Sequence, residues 1–359
     1  MAPLPSIGQG AAPAPRGGDA PAVVIVGAGL AGWTVARELR QRAPAQAIRV
    51  VCADAGDFYS KPMLSNAFAQ KKDAAQLVQK PGAAQAQGLK VALQPRTKVL
   101  SIDREARCLR TDAGPIAYES LVLALGADPI RLPTPGIEHA LPVNDIDDYR
   151  RLRGALSRAG AGARVAIIGG GLIGCEFAND LGLAGFRVQI IDPAPWLIGS
   201  LVTREQGEAL QAALEALGVQ CRLGDAAERI DRLEDGTLRL ALRSGPIVEA
   251  DVAVSAVGLR PRTELAQQAG LAVARGIRVD ALGRSSDPRI YALGDCAAYE
   301  SAGRPDVAQG AARPLPFVLP LMAAGKAIAA SLAGEPTPIR FGALPVRVKT
   351  PALPLTVQA

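Results

Sequence analysis

Two glycine runs carry the first sign of chemistry. Gly27-Ala28-Gly29-Leu30-Ala31-Gly32 and Gly169-Gly170-Gly171-Leu172-Ile173-Gly174 both read GxGxxG, each between a β-branched run and an amphipathic one. In that setting the first glycine permits a tight turn and the second lets a pyrophosphate approach the backbone. The third lets helix and strand pack closely, and the phosphates meet the free N–H groups of a helix N-terminus. An acid closes each unit, Asp54 and Asp192, where it accepts hydrogen bonds from ribose hydroxyls. No Arg or Lys follows Asp192 before Arg204, so the second site favours NADH over a 2′-phosphorylated cofactor. Two dinucleotide sites in one chain suit a resident flavin and a diffusing nicotinamide. Gly294-Asp295 in IYALGDCAA reads as a strand-to-helix turn. Its acid suits the ribityl hydroxyls of FAD, or a plain helix cap.

Other chemistries lack their residues. The five cysteines (Cys52, Cys108, Cys175, Cys221 and Cys296) form no CxxC or CxxxxC pair, and His139 is the single histidine. A local metal site, a dithiol and a Ser-His-Asp triad are disfavoured, and no metal is expected. Widely spaced cysteines in odd number predict reduced thiols and a cytoplasmic protein. The formal charge of +6 is spread along the chain without a basic block. That argues against a nucleic-acid partner and is compatible with an acidic protein. No apolar run approaches the about 18 residues of a membrane span.

The elements that must position these residues are legible in outline. Residues 22–54 and 164–192 each predict a βαβ unit, a duplication that implies two nucleotide-binding domains. Strands are expected at 118–129 and 250–261, and helices at 203–219 and 319–334. Residues 1–20, rich in Pro, Ala and Gly, predict a disordered tail and not a signal peptide.

The order GAGLAG, ALGADP, GGGLIG, AVGLRP and IYALGDCAA resembles the FAD-dependent pyridine nucleotide–disulfide oxidoreductases. Within that family, YSKPMLSNAF, PLMAAGKAIA and VKTPALPL are similar to rubredoxin–NAD reductases. The resemblance implies an α/β fold with two Rossmann-like dinucleotide-binding domains. An FAD domain, 21–129 and 250–336, is split by an inserted NAD domain, 130–249. A short, truncated α+β C-terminal domain covers 337–359, and the protein is a monomer or homodimer. Where relatives that reduce disulfides carry CxxxxC, this chain has YSKPMLS, so electrons should leave the flavin for an outside acceptor. The resemblance places Lys61 beside flavin N5 and Glu176 facing the flavin, paired with that lysine. It adds Pro62, Val99 at the adenine, Ala124, Gly126, Val318 at the flavin pyrimidine and Lys349 to the FAD contacts, and Gly258 to the NAD contacts. It implies an NADH-dependent flavoprotein reductase serving rubredoxin or a similar small acidic electron carrier. Another carrier, such as ferredoxin or a flavorubredoxin, and a truncated non-catalytic flavin-binding protein are the alternatives.

Overall fold

In the computed structural model, residues 22–300, 312–342 and 345–358 are described; the expected tail at 1–20 lies outside them. The chain opens with β1 (Ala22–Val26), α1 (Leu30–Arg42) and β2 (Ala47–Val51), then adds β3 (Ala92–Gln94) and β4 (Ser120–Leu123). A short strand, β5 (Ala127–Pro129), leads to β6 (Ala140–Pro142) and α2 (Ile146–Ala159). The second unit follows as β7 (Arg164–Ile168), α3 (Leu172–Leu183), β8 (Arg187–Asp192), α4 (Arg204–Glu215), β9 (Gln220–Leu223) and β10 (Val252–Ser255). After β11 (Leu259–Pro261) come β12 (Ile290–Ala292), α5 (Val318–Leu332) and the strands β13 (Pro345–Val348) and β14 (Leu355–Gln358).

Two five-stranded parallel sheets result, in the orders β12-β4-β1-β2-β3 and β6-β10-β7-β8-β9. Parallel strands are covered on both faces, so their sequences are continuous apolar runs. Alternate residues of β7 enter different cores: Val165 and Ile167 one, Ala166 and Ile168 the other. Helices α1 and α5 cover the first sheet at close range. A Cβ at Gly325 would stand 2.7 Å from Thr34 Cγ2.

Two expectations change. Residues 250–255, assigned to the FAD segment, form β10, a strand of the second sheet between β6 and β7. The run VAVS is apolar throughout because it is sandwiched there, and its pairing outranks a boundary drawn by motif order. The chain instead crosses between the sheets at an antiparallel ribbon, where Ala127 pairs with Pro261 and Pro129 with Leu259. Strand pairing in the second sheet thus runs past the expected 249/250 boundary, and the ribbon follows it. The second change concerns Asp295. No α-helix follows it: Gly294–Cys296 is a 3-10 turn, and Ala297–Tyr299 runs on as a strand beside Ile277–Val279. Sheet pairing captures those residues, and the Gly294 N–H donates to the Tyr299 hydroxyl at 3.0 Å.

The third glycine of each run is a packing device. A Cβ at Gly32 would lie 1.9 Å from Gly27 O, and one at Gly174 1.9 Å from Gly169 O. Because the obstacle is backbone, Gly32→Ala should destabilise the protein by at least the about 3 kcal/mol of severe overpacking, read from the urea midpoint at unchanged slope.

Candidate functional site

The two turns into α1 and α3 have the same construction. Gly27 and Gly169 both sit at φ +110, where side chains are strained. A Cβ at Gly27 would meet Ala124 O at 2.1 Å, and one at Gly169 would meet Ala256 O at 2.5 Å. Ala124 is thereby placed under the first loop. Gly29 and Gly171, which precede the helices, face open space, with nothing within 4 Å of an added Cβ. Neither receives a side-chain cap, so the N–H groups of the first turns are left for an incoming anion. A pair of glycine cradles over two helix N-termini fits two pyrophosphates. Leu30 and Leu172 begin the helices, and Ile173 is partly exposed in the first turn of the second.

The two fingerprint acids differ in their contacts. Asp192 ends β8 and takes the Ala194 N–H at 2.7 Å and the Gly170 N–H. Asp54 stands three residues beyond β2, exposed, with Oδ1 on the Gly56 N–H at 2.9 Å. The remaining sites predicted from sequence lie on separate elements. Val99 begins a strand, Val99–Asp103. Gly126 (φ +73) faces open space, and Gly258 (φ +110) approaches only Ile130. Val318, 41% exposed, starts α5, whose N-cap also lacks a side-chain bond.

At the centre is α3, an apolar helix with three buried polar residues, Glu176, Asn179 and Asp180. They hold two distant segments. The 3-10 turn Lys61–Asn66, with Pro62 in its first turn, presents Ser65, whose hydroxyl donates to Glu176 Oε2 at 2.5 Å. Just beyond it, the Phe68 and Ala69 N–H groups donate to the two Asp180 oxygens at 2.8 and 2.9 Å. From the segment after β13, the Lys349 N–H donates to Glu176 Oε1 at 2.9 Å, its ammonium contacts Oε2, and the Ala352 N–H reaches Asn179 Oδ1 at 3.1 Å. Burial raises the Asp180 carboxyl, while the backbone N–H bonds oppose that rise.

The pairing of Lys61 with Glu176 is therefore corrected. Glu176, with no exposed surface, is satisfied by Ser65 and Lys349. Lys61 instead lies 3.7 Å from Asp295 Oδ2. The physical reason is supply. A carboxylate without water needs several donors, and the two segments anchored on α3 provide them. Burial lowers the Lys61 ammonium; Asp295 pulls it back up, and nearby Arg262 pushes it down. Arg262, absent from the sequence-based set, is held by Asp128 at 2.8 Å and by Leu125 O at 3.0 Å. Ser65, Asn179 and Asp180 were also missed. The signal for Asn179 and Asp180 was that they stand with Glu176 as the three polar residues of the otherwise apolar run GLIGCEFANDLGL; Ser65 lies outside that run.

Thiol chemistry has no footing here. All five cysteines are free. Burial is the leading cause that pushes Cys52 and Cys175 far above the usual thiol range, Cys221 to about 12 and Cys296 to about 11. Such thiols are inert as nucleophiles. Among the described residues no His/Cys/Asp/Glu cluster could hold a metal, and no helix is long and apolar enough to cross a membrane.

Family comparison agrees with this geometry. The model for pyridine nucleotide-disulphide oxidoreductases matches residues 21–314. The chain belongs to this family. A rubredoxin-NAD(+) reductase of Alcanivorax borkumensis is 40% identical over 93% of this chain and 85% of its own length. A nitric oxide reductase FlRd-NAD(+) reductase of Aeromonas hydrophila is 37% identical over 93% of this chain and 82% of its own. Among solved structures, a covalent putidaredoxin reductase–putidaredoxin complex aligns with a TM-score of 0.83 at 28% identity, over 92% of this chain and 79% of that one. FAD and NADH are the cofactors of this oxidoreductase, and the two open cradles fit two dinucleotides.

Two substitutions test the arrangement. Gly29→Ala introduces a methyl group only into open space, so the flavin-free protein should keep its melting temperature. FAD affinity should fall by roughly tenfold or more, read by titration of flavin fluorescence. Lys349→Met leaves a buried carboxylate without its cation and should cost about 3 kcal/mol in denaturant unfolding. Adding Glu176→Gln should recover most of that loss.

Proposed function

We propose that this protein oxidises NADH and passes the electrons to rubredoxin or a similar small acidic iron protein. In this reading the loop Gly27–Gly32, with Asp54, Val99, Gly126, Asp295 and the N-terminus of α5 at Val318, holds FAD. The loop Gly169–Gly174, with Asp192 and Gly258, holds NADH. FAD, when bound, accepts a hydride and releases electrons singly. Lys61 supplies a cation at the flavin edge, and Asp295 offsets the cost of placing that cation away from water. Ser65 and Lys349 keep Glu176 and the 3-10 turn in register. The domain division follows the sheets: a split FAD domain on either side of the β5–β11 ribbon, and an NAD domain between its strands.

The observation that carries the reading is the cysteine-free turn Lys61–Asn66, anchored on the helix of the second cradle. With no reactive thiol beside it, the turn supports an outside acceptor for the electrons, here read as a separate protein. The formal charge of +6 favours an acidic one. The same turn suits a flavorubredoxin, the carrier type in the name of the Aeromonas relative. The five free thiols support a cytoplasmic location, where thiols stay reduced.

Anaerobic mixing of the flavin-loaded protein with NADH should abolish the oxidised flavin absorbance. Subsequent rubredoxin reduction should slow as salt is raised. An unbleached flavin would sink the reading, and reduction of ferredoxin but not rubredoxin would replace the acceptor.

A further inference from the structure

The two glycine loops differ at one position, and the difference has a physical cause. The first loop has Ala28 where the second has Gly170. A Cβ at Gly170 would lie 2.9 Å from Leu197 Cδ2 and 3.1 Å from Asp192 Cβ. Both polar groups of Gly170 are also engaged. Its N–H donates to Asp192 Oδ2, and its carbonyl accepts from the Ile198 N–H at 2.9 Å. In the first loop the corresponding acid, Asp54, takes the Gly56 N–H.

Ile198 holds this arrangement at a cost. Its φ is +52, a conformation disfavoured for a β-branched residue, and it is 1% exposed. Such a conformation persists only where its surroundings over-determine it. Here its carbonyl accepts from the Leu201 N–H at 2.8 Å and the Val202 N–H at 3.2 Å. From the other side α4 presses through Gly207, where a Cβ would stand 2.5 Å from Trp196 Cδ1 and 2.7 Å from Leu197 O.

We infer that Gly170 and Ile198 are positioning residues, forming with Asp192 a clasp that sets the ribose-accepting carboxylate before the nicotinamide dinucleotide arrives. The inference rests on the assignment of the second cradle to NADH. Each carboxylate oxygen has two acceptor sites. One on each is taken by the Gly170 and Ala194 N–H groups, which leaves one on each for a vicinal diol. Fixing the acid in advance removes an ordering cost from binding and denies a 2′-phosphate the chance to push the acid aside.

The test is calorimetric titration of the flavin-loaded protein with NAD+ and NADP+, beside steady-state kinetics with NADH. Gly170→Ala should weaken NAD+ by roughly tenfold and narrow the preference over NADP+. KM for NADH should rise in parallel while kcat stays within about twofold, since the clasp acts on binding and not on the hydride. Adding Leu197→Ala, which removes the nearest obstacle, should restore part of the affinity. A folded Gly170→Ala protein with unchanged NAD+ affinity and preference overturns the clasp. Wild-type protein that binds neither dinucleotide overturns the NADH assignment, and the clasp with it. Should Gly170→Ala not fold, amide exchange on the wild type decides. The Gly170 and Ile198 N–H groups should be protected before NAD+ is added, and rapid exchange at both rejects the clasp.

Discussion

A carboxylate with no access to water governs the centre of this molecule. Glu176 cannot be left unpaired in the core, since an isolated buried charge is far costlier than any surface ion pair. Its donors come from Ser65, more than a hundred residues before it, and Lys349, more than a hundred and fifty after it. Asp180, one helical turn on, repeats the device for the backbone at Phe68 and Ala69. Helix α3 therefore does two jobs. Its N-terminus opens the second cradle, and its buried acids seat the turn that carries Lys61. The second cradle and the turn that carries Lys61 thus share one helix.

The same economy appears in the paired glycine loops. First and third glycines are set by contacts with the protein's own backbone, at Ala124, Ala256, Gly27 and Gly169. Only Gly29 and Gly171 face emptiness. The signature thus combines two kinds of constraint, one from folding and one from ligand approach. A substitution at either kind ends function for a different reason.

Much of this was legible in the sequence. Both βαβ units, α4, α5 and the two acid-terminated fingerprints follow from local periodicity and glycine placement. Such features depend on neighbours a few residues apart. The strand at Val252–Ser255 was visible as an apolar run, but its sheet was not, because pairing is non-local. The helix expected after Asp295 failed for the same reason: Ala297–Tyr299 has a strand partner at Ile277–Val279. The lysine partner of Glu176 was misjudged because the charge of Lys61 was visible while the geometry of its turn was not. Arg262 and Ile198 offered little signal, since nothing local marks a charge held over a distant loop or a strained φ.

The ribbon of β5 and β11 has a consequence for synthesis. All five strands of the second sheet lie between Ala140 and Ser255, whereas the first sheet needs strands from Ala22 to Ala292. As the chain leaves the ribosome, the second sheet can close while the earlier-begun first sheet still waits for β12. The first sheet must stay open at the β4 edge for well over a hundred residues of translation. The flavin site proposed on the first sheet is therefore finished only after the second sheet is already built.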